Sequence, residues 1–156
     1  MSRLLQICAV AILLVLLVCV RYFQHDLFYD PLDEYFHGAF QSMPFPEMKT
    51  MWLFLSNSLR YSMNAIISLA IIWVLFKSAS YIKAGLWVYL FAFIVLNVLF
   101  FVTLQFEASL SKMALFYTRR FLIHPLLLFV LVAGGYFLKT RNAALIADSN
   151  APDDKK

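Results

Sequence analysis

The sequence predicts an all-α membrane protein: four transmembrane helices with a short amphipathic interfacial helix in the first loop. Three observations predict it. Of the 156 residues 63% are apolar and only 14% charged, a composition outside that of soluble globular domains. The apolar residues gather into four runs, each long enough at about 1.5 Å per residue to cross a hydrocarbon core of about 30 Å. Tyr22, Trp52, Trp73, Tyr81, Trp87, Tyr117 and Tyr136 lie near the ends of those runs, where amphipathic rings favour the headgroup layer.

The first span covers residues 4–22 and is apolar except for Gln6 over most of its length. A cleaved signal peptide is the rival reading, since Arg3 precedes the run, but no small-x-small site follows it. Bulky Val18 before Cys19 also argues against a lipoprotein signal. Cys8 and Cys19 both sit inside this apolar run and behave there as small hydrophobes, so they say nothing about redox compartment.

Residues 23–50 form the one sizeable outer loop. Asp30 is placed to cap a helix starting at Pro31, with Asp33 and Glu34 in its first turn. Leu32, Tyr35, Phe36, Ala39 and Phe40 then share a face opposite Asp33, Glu34, His37 and Gln41, the pattern of a helix lying on the membrane surface. Gly38 is positioned to end it early. Pro44, Pro46 and Glu47 read as the entry to the second span.

The second span covers 51–76, the third 84–104 and the fourth 119–138. Pro125 alone leaves too few apolar residues after it for a full crossing, so the fourth helix is expected to begin before Arg119 and bend at Pro125. Residues 1–140 form a single membrane domain, and the small, polar and charged stretch 141–156 reads as a disordered tail. Four spans bring both termini to one side. Arg3, Lys77, Lys83, Lys139, Arg141, Lys155 and Lys156 fall there, against Arg21, Lys49, Lys112, Arg119 and Arg120 on the other, which favours cytoplasmic termini.

The net charge of +4 is scattered over loops and tail, which excludes a nucleic-acid footprint. No Walker loop, dinucleotide fingerprint or nucleophile elbow is present, and His25, His37 and His124 make no metal-ligand spacing, so no metal or cofactor is expected. Chemistry is confined to polar residues within or beside the spans. Asn57, Arg60, Tyr61, Asn64 and Ser68 recur at three and four residues along one face of the second helix. A central Arg costs about 2.5 to 3.5 kcal/mol in lipid, so Arg60 should face other helices or water and find an anion or carbonyls, unless the stripe is interhelical glue and Arg60 snorkels outward. The side that holds Arg119 and Arg120, near His124, also holds Asp26, Asp30, Asp33, Glu34, Glu47 and Glu107, so at least one of the two Arg is expected to pair with a first-loop carboxylate, with bidentate geometry left open. Asn97 in the third span reads as interhelical glue.

The segments Leu27-Phe28-Tyr29-Asp30-Pro31 with Glu34-Tyr35-Phe36, Pro44-Phe45-Pro46, Arg60 with Asn64, and Phe116-Tyr117-Thr118-Arg119-Arg120-Phe121-Leu122-Ile123-His124-Pro125 resemble the exosortase F-associated small membrane proteins of Bacteroidetes. The resemblance covers about residues 4–138. It implies an inner-membrane protein working beside exosortase F, a membrane-embedded transpeptidase-like enzyme thought to process proteins with a C-terminal sorting tail. It implies no catalytic role for this chain. The family pattern has Gln where this chain has His124, which lowers that residue as a catalyst. Exosortases use Cys, Arg and His; Cys19, Arg60 or Arg120, and His124 supply the residue types here, but the local Cys motif of those enzymes is missing, as is an electropositive setting for the thiol. The expected function is a non-enzymatic accessory or assembly partner docking through Asp30, Glu34, Asn57, Arg60, Asn64, Arg119, Arg120 and His124, within membrane lipids. The alternative is a small transporter or lipid-handling protein that holds an anionic group through Arg60, Arg119 and Arg120.

Overall fold

The computed structural model describes residues 2–23, 28–38, 44, 47, 49–105 and 109–149. Six helices follow in order: α1 (Arg3–Tyr22), α2 (Leu32–His37), α3 (Thr50–Phe76), α4 (Ala79–Leu104), α5 (Ser109–Ile123) and α6 (Leu126–Ser149). Four stretches are long and apolar enough to cross a membrane: α1, α3, α4 and Leu126–Leu145 of α6. The chain is thus an all-α, multi-pass membrane protein.

Helix α3 lies at the centre and packs against α1, α4, α5 and α6. Its inner face carries a polar stripe among apolar residues: Asn57, Arg60, Tyr61, Asn64 and Ser68 are all buried, while Met51, Trp52, Leu55, Leu59 and Ile66 point outward. This inversion of the soluble pattern follows from lipid being as apolar as Leu. Polar groups gain most by meeting one another between helices. Helix α1 runs antiparallel to α3, and the Gln6 side-chain amide donates to the carbonyl of Val74 at 2.9 Å. The polar exception in the first span therefore satisfies a carbonyl at the C-terminal end of α3, where no intrahelical donor is left.

Between α3 and α4 the chain reverses through Lys77 and Ser78. Lys77 takes a left-handed conformation (φ 49°) and its N–H caps the carbonyl of Trp73. Helix α4 begins at Ala79 rather than 84 because hydropathy locates the lipid-facing run, whereas the preceding residues are helical without being deeply apolar. Gly85 lets Leu69 of α3 approach: a Cβ added to this glycine would fall only 3.0 Å from Leu69 Cδ2.

The fourth transit differs from the expected bent helix. It is two helices: α5 stops at Ile123 and α6 starts at Leu126. Pro125 has no N–H, and the N–H of Leu126 turns back to the carbonyl of His124 at 2.8 Å. The carbonyls of Phe121 and Leu122 thereby lose the donors that a continuous helix would give them. Heights along α3 place the break. Leu115 packs with Leu53, Leu122 with Tyr61 and Ala65, Leu128 with Ile67, Ile71 and Ile72, and Tyr136 reaches Phe76. Helix α5 thus lines the loop-side half of α3 and α6 the other half, so the interruption falls near mid-height. Beyond Tyr136, α6 runs past the end of α3 and stays helical to Ser149, where a disordered tail was expected from 141. The stretch Asn142-Ala143-Ala144-Leu145 favours helix and holds no breaker. Residues 150–156 lie outside the described residues.

Helix α2 packs its apolar face onto the loop end of the bundle. Leu32, Leu53 and Leu115 are each 0% exposed and form one cluster with Tyr35, Phe36 and Phe100, so α2 plugs the loop end between α3, α4 and α5. Phe36 meets Phe116 edge-on at 5.3 Å. The apolar face read from the sequence is present, but helices cover it instead of lipid. Pro31 is the N-cap and makes no side-chain cap bond; the Asp30 carboxylate is used elsewhere. Gly38 closes the helix, and Ala39, Phe40 and Gln41 lie outside the described residues.

Candidate functional site

The polar centre is assembled from three distant segments. Arg119 of α5 grips Asp30 side-on, Nε to Oδ1 at 3.3 Å and Nη2 to Oδ2 at 2.6 Å. Nη2 also donates to Asp33 Oδ1 at 2.7 Å. From α3, Arg60 Nη1 donates to Asp30 Oδ2 at 3.1 Å. Two guanidiniums and two carboxylates are balanced, and the innermost members are almost sealed: Arg60 is 3% and Asp30 7% exposed. Phe28 lies under Arg60 at 4.8 Å from guanidinium carbon to ring centroid, and Phe36 lies 5.9 Å from Arg119, so π-faces complete the coats of both cations. Arg60 sits ten residues into α3, about 15 Å below its start. Asp30 therefore has to descend into the bundle to reach it, and the docking of α2 carries it there.

A second hub surrounds the helix interruption. The Asn64 side-chain amide donates to the carbonyl of Ile123 at 2.8 Å, replacing a backbone donor lost at the break. His124 accepts from Arg21 Nη1 at its Nε2 (2.6 Å) and donates from Nδ1 to the carbonyl of Arg120 (3.0 Å). These roles follow from the network, because a guanidinium can only donate and a carbonyl can only accept. Neutral His124 thus ties the end of α1 to the end of α5.

Of the eight residues singled out from the sequence, Asp30, Arg60 and Arg119 share the ion network, while Asn64 and His124 share the break. Asn57 is 3% exposed with its Oδ1 unpaired among the described residues. The Arg120 side chain is exposed, with no carboxylate partner among the described residues. The Glu34 side chain lies outside the described residues, as do Asp26 and Glu107. Asn97 donates to Phe93 of its own helix at 2.8 Å, so it is not the interhelical glue expected of it. Asp33, one of the carboxylates offered to the arginines but not one of the eight, does pair with Arg119; sequence reasoning treated Arg21 only as a topological charge. Its position in the last turn of α1, on the side that charge bias disfavours, was the available signal. It also missed Lys112, which is 5% exposed.

Two cavities meet at Arg21, Ile123 and His124. One, of about 350 Å³, is an apolar cleft between α1 and α6 with Arg60 and Asn64 at its floor. The other, of about 280 Å³, is polar and holds Arg119, Arg120, His37 and Asp33. Both cysteines are free and exposed, and Cys19 is not among the residues lining either cavity. No group of three or more metal-ligating side chains occurs among the described residues. No family model, curated protein or solved structure matches the chain.

Proposed function

We propose that this protein is a non-enzymatic accessory or assembly partner of exosortase F in the bacterial inner membrane, with both termini cytoplasmic. One coincidence carries the reading. The segments that resemble the exosortase F-associated family, around Asp30, Arg60 with Asn64, and Arg119 to Pro125, are far apart in the chain yet meet on α3, at the ion network and at the helix interruption. A buried, charge-balanced network of this kind fixes a loop on a bundle. It gives the loop end of the protein a defined outer surface, which a partner enzyme requires more than a reactive group does. Cys19 stands outside both cavities, which favours a docking role over thiol chemistry. The alternative anion site at Arg60, Arg119 and Arg120 is weakened by the same geometry, because Arg60 and Arg119 already hold carboxylates.

The test is affinity purification of the tagged protein from native membranes in mild detergent, comparing wild type with Arg120→Ala and identifying what co-purifies. Exosortase F is expected with the wild type and reduced with the variant. Its absence from both, with the protein itself intact, would sink the proposal.

A further inference from the structure

Helix α1 has α3 as its main packing partner, leaving a lateral cleft towards α6 that opens where lipid would be. Leu14, Leu17 and Val18 form one wall, with Pro125 and Phe129 on the other. Val18 and Phe129 are 65% and 66% exposed, so the cleft is reachable from the side. Its axis has a polarity. Arg21 lies in the last turn of α1, where its apolar run ends, and Leu14 is seven residues, about 10 Å, back along the helix.

Among the described residues no carboxylate matches Arg21 or Arg120: Asp30 and Asp33 pair with Arg60 and Arg119. The Arg21 guanidinium hydrogen-bonds the neutral His124 ring. At the floor, Arg60 is 3% exposed, lines the cleft and keeps an Nε–H unpaired among the described residues. An apolar trough beside Arg21, with Arg120 lining the cavity that adjoins it and neither paired with a carboxylate among the described residues, matches one chemistry, an anionic headgroup with an acyl chain below it.

We infer that the α1–α6 cleft binds a phospholipid with an anionic headgroup, its phosphate at Arg21 and Arg120 and one acyl chain along Leu14, Leu17 and Phe129. The lipid belongs to the leaflet on the loop side. It closes the gap that α1 leaves open, and this binding is independent of any protein partner.

The test uses the full chain, purified and delipidated in mild detergent, with equimolar phosphatidylglycerol and phosphatidylcholine of identical acyl chains and retained lipid read by native mass spectrometry. Phosphatidylglycerol is expected to be retained on the order of tenfold over phosphatidylcholine, as two interfacial cations warrant. The double variant Arg21→Gln/Arg120→Gln, at two exposed positions, should remove the preference. Val18→Trp, which fills the trough and leaves the charges, should lower retention of phosphatidylglycerol. Lys139→Gln/Arg141→Gln, at the opposite end, should change neither. Equal retention of the two lipids, a preference surviving in the double variant, unaltered retention with Val18→Trp, or an equal loss from the distal variant would each overturn the inference.

Discussion

At the loop end of the bundle, Asp30, Arg60, Arg119 and Asp33 meet with their charges balanced, and α2 is wedged over them. At the termini end the contacts are aromatic and steric. Phe76 stacks on Tyr81 at 4.6 Å and touches Tyr136 at 5.1 Å, and Gly135 comes so close that a Cβ there would fall 2.6 Å from Phe76 Cζ. The difference teaches how cohesion is divided where no hydrophobic effect separates helix from lipid. Close packing suffices for helices that merely run side by side. Joining a loop and an interrupted helix to the bundle takes directional, charged contacts that only one arrangement satisfies.

The largest break in that contrast should come from Asp30→Asn, which leaves two buried guanidiniums facing each other. A loss of about 3 to 5 kcal/mol is expected, read by unfolding in mixed micelles. A loss below about 1 kcal/mol would mean that the network does not hold the loop end. Arg119→Gln should cost less alone, and much less again in the Asp30→Asn background. Additive losses in that double-mutant cycle would show the pair to be uncoupled. At the other end, Gly135→Val should destabilise by about 1 to 3 kcal/mol through overpacking, with Phe76→Leu relieving part of it; no relief would place the strain elsewhere. Gln6→Leu removes one interhelical hydrogen bond and should cost about 0.6 kcal/mol. Arg120→Ala, exposed and unpaired, should stay within about 0.5 kcal/mol, which allows its effect on co-purification to be separated from folding.

The sequence made α1 and α3 legible almost to the residue, because their ends coincide with the limits of apolar runs and with aromatic rings at the headgroup level. It also showed that Arg60 needed an anion, carbonyls or water around it, without deciding among them. The choice between Arg119 and Arg120 was not legible: adjacent helical residues point about 100° apart, and only the packing of α5 decides which turns inward. The interruption at Pro125 could be suspected, but whether the chain bends or breaks depends on a donor from elsewhere, and Asn64 supplies it. An amphipathic face likewise announces that Leu32, Tyr35 and Phe36 will be covered without saying whether lipid or protein covers them.

The order of synthesis gives the shared carboxylate a further meaning. Asp30 leaves the ribosome first, Arg60 follows one helix later, and Arg119 emerges only when most of the chain has been made. Helix α5 carries Lys112, Arg119 and Arg120 within fifteen residues, too many charges to enter lipid unaided. It must therefore settle against an α3 already in place, with Asp30 waiting beside Arg60 to receive it. The last polar helix is then locked by the first acidic residue of the network, and assembly is complete only when the two ends of the chain's history meet.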